Sequence, residues 1–167
     1  MRPDIYRVKE LEQGFLAIMA KPVSGEYIED EFSGIAQEGV KQIVSLLEPH
    51  EEYAVGLREE ASLSEKNGIN FVSFPIPDRG LPSSVSSFSK ITGELYSQVI
   101  DGKSTVVHCR AGIGRAGIVV VGILLHSGME SEEAFSLVSK SRGVEVPDTE
   151  EQKQWVVSNC RAIVNRT

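Results

Sequence analysis

Apolar residues along the chain recur in two spacings. Residues 14–20 are almost unbroken apolar, short and fit for a buried strand. Pro22, Ser24 and Gly25 then mark a loop. Ile28, Phe32, Ile35, Ala36 and Val40 follow at helical spacing, with Gly39 near the helix end. Residues 41–47 read as a second strand. Residues 48–68 are polar and acidic, with a helix predicted over 58–66 that stops at Asn67-Gly68. Residues 69–74 alternate as a strand does, and Pro75 and Pro77 end it. Past a loop at 78–82, Ser83 or Ser84 caps a helix whose stripe is Val85, Phe88, Ile91, Leu95 and Val99. A turn at Asp101-Gly102 leads to a strand over 104–108. Residues 116–125 are nearly all apolar, yet shorter than the roughly 20 residues that span a bilayer, so they predict a buried helix. Two more helices follow, one capped by Ser131 and one by Asp148 or Thr149, the latter running to Val164. Strands alternating with helices predict one α/β domain over residues 1–167. Its centre is a mostly parallel sheet of four to five strands flanked by helices.

Composition narrows the classes. The 167 residues are 41% hydrophobic and 25% charged, which suits one globular domain and excludes collagenous or disordered chains. Two cysteines make no disulfide scaffold and no zinc pattern, and free thiols suit a reducing compartment, here the cytoplasm. The polar start predicts no signal peptide. The net charge of −7 argues against nucleic acid as a partner, and no segment predicts a membrane span. That charge is uneven. Residues 1–66 hold 14 acids and 7 bases, whereas residues 70–115 hold three acids and five bases. A locally basic stretch in an acidic chain suits an anion site once a motif supports it.

Residues 108–117 supply the motif: His-Cys-Arg-Ala-Gly-Ile-Gly-Arg-Ala-Gly. Cys109 and Arg115 bracket a loop between a strand and a buried helix. Such a loop turns successive N–H groups inward at a helix N-terminus and makes an anion nest. Gly112 and Gly114 allow backbone angles that other residues resist. Arg115 can offer a two-pronged grip on phosphate oxygens. Cys109 at the base of the nest is favoured as thiolate by the same groups, and is placed for in-line attack on phosphorus.

This segment closely resembles the signature of the cysteine-based protein tyrosine phosphatases, H-C-x-x-G-x-x-R-[ST]-G, and its context resembles the small dual-specificity group. The resemblance implies a phosphotyrosine-phosphatase-like fold and hydrolysis through phosphocysteine, without metal or cofactor. It implies Cys109 as nucleophile and Arg115 as the clamp. The N–H groups of Arg110, Ala111, Gly112, Ile113, Gly114 and Arg115 would be the phosphate cradle, and His108 a support that orders the loop. It implies Asp78, in Ile76-Pro77-Asp78, as general acid on the 75–82 loop, with Ile where the family has Trp. Leu16-Ala17-Ile18 followed by Pro22 resembles the group's opening strand. The run from Arg142-Gly143 through Pro147 and Gln152 to Trp155 resembles the segment that closes the site. Gln152 is then either a positioner of hydrolytic water or an ordinary surface residue. A phosphorylated protein is the expected partner of a monomeric enzyme.

The chain departs from the pattern at Ala116, where most members carry Ser or Thr. The missing hydroxyl predicts a slower second step. Arg110 either favours an acidic substrate flank or pairs with a surface acid. Cys160, with Val156, Ile163 and Val164, predicts a core thiol. Two alternatives stay open: a phosphatase of phosphoinositides or other non-protein phosphomonoesters, and a phosphate-binding module without turnover.

Overall fold

The structure, a computed structural model, describes residues 2–165. The chain opens with a hairpin, β1 (Tyr6–Leu11) and β2 (Gly14–Met19), followed by α1 (Ile28–Gln37) and β3 (Gln42–Ser45). Next come α2 (Pro49–Ala54), α3 (Glu60–Lys66), β4 (Asn70–Ser73) and α4 (Val85–Ile100). The chain then runs through β5 (Thr105–His108), α5 (Arg115–Leu125), α6 (Ser131–Arg142) and α7 (Glu150–Val164). The five strands lie in the order β1-β2-β5-β3-β4. Only the β1–β2 pair is antiparallel.

Alternation along each inner strand divides the core into two faces. Leu16, Ile18, Val44 and Val107 point to one side, against α4 to α7, where Phe88, Ile118, Phe135 and Val156 are buried. Phe15, Ala17, Met19, Ile43 and Val106 point to the other, against Phe32 and Ile35 of α1 and Leu63 of α3. Helix α5 is buried along its whole length, as its unbroken apolar run predicts. It packs closely on α4: a Cβ at Gly122 would stand 2.7 Å from the Phe88 ring.

The structure corrects several expectations. The true opening strand is β1, so the segment expected to open the sheet is its second strand. Strand β1 is an edge strand with Arg7, Lys9 and Glu10 exposed, and its polarity hides it from a search for apolar runs. Helix α2 lies in the stretch read as polar connection. Glu130, not Ser131, is the N-cap of α6, and Ser131 is its first helical residue. Thr149 caps α7, accepting from the Gln152 N–H at 3.0 Å. Cys160 is half-buried and packs against the core, Ile163 beside it is fully buried, and of that expected apolar set Val164 alone is exposed. Residues 1, 166 and 167 of the expected single domain lie outside the described residues.

Candidate active site

The parallel strands β3, β4 and β5 end together, and the segments that leave them converge, as the C-terminal edge of such a sheet favours. β5 delivers His108 and Cys109, β4 leads into the Asp78 loop, and β3 leads into α2 with Glu51. The segments that follow β4 and β5, with the start of α7, line a cavity of about 190 Å³ that includes Asp78, Cys109, Arg110, Arg115 and Gln152; Glu51 reaches the site from behind, through Arg115.

The loop from Cys109 to Gly114 wraps the N-terminus of α5. Gly112 has φ +71, and a Cβ there would overlap the Met19 carbonyl, so only glycine lets the loop pass β2 at this distance. Arg142 of α6 ties the outside of the loop. Its Nε donates to the Gly112 carbonyl at 3.1 Å and its Nη2 to the Ala111 carbonyl at 3.0 Å. Its guanidinium also stacks 4.5 Å from the Tyr6 ring centroid. With those carbonyls turned outward, none of the backbone N–H groups from Arg110 to Gly114 donates to an acceptor among the described residues. Cys109 is 3% exposed, and its Sγ accepts from the Ala116 N–H at 3.4 Å.

Arg115 is 2% exposed and held on three sides. It makes a two-pronged pair with Glu51, at 2.7 and 3.0 Å. It also donates to the Ile76 carbonyl at 2.9 Å and to Asp78 Oδ1 at 3.1 Å. Burial pulls the guanidinium down. The hydrogen bonds to Glu51 and the charges of Cys109, Glu51 and Asp78 outweigh that and raise it, so it stays charged. Glu51 shows the same contest. Burial pushes its carboxyl up, but Arg115, the Glu48 N–H and the Arg110 charge hold it below the ordinary 4.5. Arg110 is 46% exposed, with its Nε 3.7 Å from Glu51, so it leans on an acid of the site.

The loop carrying Asp78 is tied to the start of α7. Arg79, at φ +57, donates to Asp148 at 2.9 Å, and Gln152 Nε2 donates to the Gly80 carbonyl at 3.2 Å. Gln152 is fully buried, so the surface-residue alternative is excluded. Its Oε1 accepts from the Thr149 N–H at 3.2 Å, and the side chain lines the cavity opposite Cys109. Asp78 keeps 55% of its side chain exposed. His108 is fully buried and contacts the Cys109 carbonyl through Nδ1 at 3.1 Å.

The structure thus gathers Asp78, His108, Cys109, Arg115 and Gln152 at one place. It adds Glu51 and Glu60, to which the sequence pattern gives no place in the site, and gives Arg142, expected in the segment that closes the site, its contacts with the loop. Glu51 had a signal: Glu48, Pro49 and Glu51 form a helix start in which the Glu48 N–H donates to Glu51 at 3.0 Å. Glu60 had none.

Fold and site together define a cysteine-loop phosphatase architecture. The chain belongs to the Tc-R-P family, described as "Polymorphic toxin system, DSP-PTPase phosphatase", whose model matches residues 17–129. Protein tyrosine phosphatase type IVA 3 of Mus musculus is 33% identical over 81 residues, which are 47% of this chain and 46% of that protein. The chain spans about half the length of the curated relatives it matches. Among solved structures, Tk-PTP in its active form is 26% identical at a TM-score of 0.75, covering 100% of both chains. Kinase associated phosphatase, with its catalytic-site cysteine replaced by serine, shares the fold at a TM-score of 0.85. It is 20% identical and covers 98% of this chain and 97% of its own.

Proposed function

We propose that this chain is a phosphomonoester hydrolase acting on phosphotyrosine, and on phosphoserine and phosphothreonine, in phosphoproteins. The observation that carries the reading is the convergence of Cys109, Arg115 and Asp78 on one cavity, beside a loop whose N–H groups from Arg110 to Gly114 have no acceptor among the described residues. The substrate phosphate sits in the loop, its oxygens held by the N–H groups and by Arg115, which gives up its contact with Asp78 for the phosphate. The Cys109 thiolate attacks phosphorus in line. The ester oxygen leaves and takes a proton from the Asp78 carboxyl. Asp78, now a carboxylate, accepts a proton from the water that attacks phosphocysteine, and Gln152 orients that water. Phosphate leaves, the Cys109 thiolate is restored and Asp78 is again protonated. Each step is carried by a side chain of the loop, the clamp or the acid, so the reaction as drawn calls for no metal or cofactor.

Hydrolysis of p-nitrophenyl phosphate between about pH 4.5 and 8, with EDTA present, tests this. The expected result is an acid-side bell, inhibited by vanadate. Cys109→Ser lowers turnover to below about 1% while keeping substrate binding. Asp78→Asn is expected to slow a poor leaving group far more than p-nitrophenolate, which departs without a proton. Folded protein that binds vanadate but turns nothing over supports instead the phosphate-binding module, for which Ala116 is the one favouring residue. A panel of phosphopeptides and phosphoinositides at matched concentration then separates protein from lipid substrates.

A further inference from the structure

Under the loop lies a buried pair that the reaction above leaves unused. Glu60, first residue of α3, is 1% exposed, and its Oε2 stands 2.5 Å from His108 Nε2. The other nitrogen of His108 faces the carbonyl of Cys109 at 3.1 Å. A chain of contacts therefore runs from α3 through a buried imidazole to the peptide of the nucleophile. Glu60 Oε1 is buried with no hydrogen-bond partner among the described residues, so Glu60 has His108 as its one side-chain partner there. The neighbouring titratable group on α2 is Glu52. Burial and the Glu60 charge push it up, and His108 pulls it down.

Counting protons settles what the pair must do. A carbonyl cannot donate, so the contact with Cys109 is a hydrogen bond only when Nδ1 carries a proton. One further proton then lies between Nε2 and Oε2. Either a Glu60 carboxylate accepts from an imidazolium, or a Glu60 carboxylic acid donates to a neutral ring. Both states are neutral overall, as burial demands. A neutral ring protonated on Nε2 beside a carboxylate would bury a net negative charge. It would also turn the Nδ1 lone pair on the Cys109 carbonyl.

We propose that Glu60 is a positioning residue: it holds His108 with its proton on Nδ1, and that proton anchors the Cys109 carbonyl and so aims the nucleophile. This rests on the phosphatase reading above. It also gives a reason for an acid at 60 that packing alone would not require.

The chain has three histidines, so the ring nitrogens of His108 can be followed by ¹⁵N spectroscopy. In the unaltered protein the ring is expected to carry a proton on Nδ1. Glu60→Leu is expected to bring in the Nε2–H tautomer. It should lower kcat roughly tenfold or more with little change in KM, and alter the pH profile of Cys109 alkylation by iodoacetate. Glu60→Gln, whose amide can donate to Nε2, should restore Nδ1–H and most of kcat. Folded Glu60→Leu with unchanged tautomer and kcat overturns the proposal. If Glu60→Leu does not fold, the unaltered protein decides: a neutral His108 protonated on Nε2 overturns it, and Nδ1–H upholds it. The ring spectrum and the alkylation need no turnover, so an inactive protein would count against the phosphatase reading and leave this test intact.

Discussion

At the scale of single residues, two side chains set the limits of the site. Ala116 offers Cys109 Sγ a backbone N–H at 3.4 Å and no hydroxyl. A hydrogen bond to a charged group contributes about 1.5–3 kcal/mol, so a hydroxyl there would ease departure of the thiolate by about 10–100-fold. Rapid-quench kinetics are therefore expected to show a burst and accumulated phosphocysteine in the unaltered protein, both diminished in Ala116→Ser. Absence of a burst, or no gain in the variant, counts against this role. Glu51 is the buried counter-charge of Arg115. Its carboxyl ionises below the ordinary 4.5, so its contribution is complete above that pH and is lost as pH falls through the lower, folded value. Glu52, raised by burial and by Glu60, acts in the opposite direction and offsets part of that loss. Urea unfolding followed from neutral to acid pH is expected to show Glu51→Gln less stable at pH 7 by about 1.5–3 kcal/mol, with the difference closing below the ordinary carboxyl range. A gap that persists unchanged in acid would show that the charge of Glu51 is not what matters.

At the scale of elements, the site is an arrangement of ties between segments far apart in sequence. α6 holds the outside of the Cys109 loop through Arg142, and the Asp78 loop is held by Gln152 of α7 and by Asp148, which precedes the cap of that helix. The two ties on the acid loop differ in kind. Arg79 and Asp148 are 65% and 41% exposed, so their pair contributes under about 1 kcal/mol. Gln152 is buried and its amide has a fixed direction. Gln152→Ala is expected to lower stability by about 1 kcal/mol and to slow breakdown of phosphocysteine more than its formation. In burst kinetics the steady rate falls while the burst amplitude holds. A variant that loses burst and steady rate equally would assign Gln152 to holding the loop alone. The motif around Cys109 could be read from sequence because its residues are neighbours in the chain. The ties could not, because Arg142, Gln152 and Glu60 take their meaning from partners 30, 72 and 48 positions away.

At the scale of the whole molecule, α5 joins the chemistry to the core. Its first residue is Arg115 and every residue in it is buried, so strain in the core is transmitted to the clamp. Gly122 lies on this helix with no room for a side chain beside Phe88. Gly122→Leu is expected to destabilise the domain by about 3 kcal/mol, with a fall in Tm of about 6–12 °C. Vanadate affinity should fall with it, measured by calorimetry below the transition. Unchanged affinity in a folded but destabilised variant would show the loop to be insulated from the core. The acids are concentrated in residues 1–66, and from that segment Glu51 and Glu60 reach beneath the loop that carries Arg110 and Arg115.

Local order along the chain was enough to determine the alternation of strands and helices, the buried central helix and the loop between β5 and α5, because each depends on the spacing of nearby residues. It was also enough to place Asp78 on a loop at the end of a strand. The edge strand β1 and the short helix α2 escaped because their residues are polar, and their places are given by the neighbours they pair with. The burial of Gln152 and the contacts of Glu51, Glu60 and Arg142 were decided only when the parallel strands brought their ends together. The reason is physical: a hydrogen bond or an ion pair depends on distance in space, and distance along the chain does not encode it.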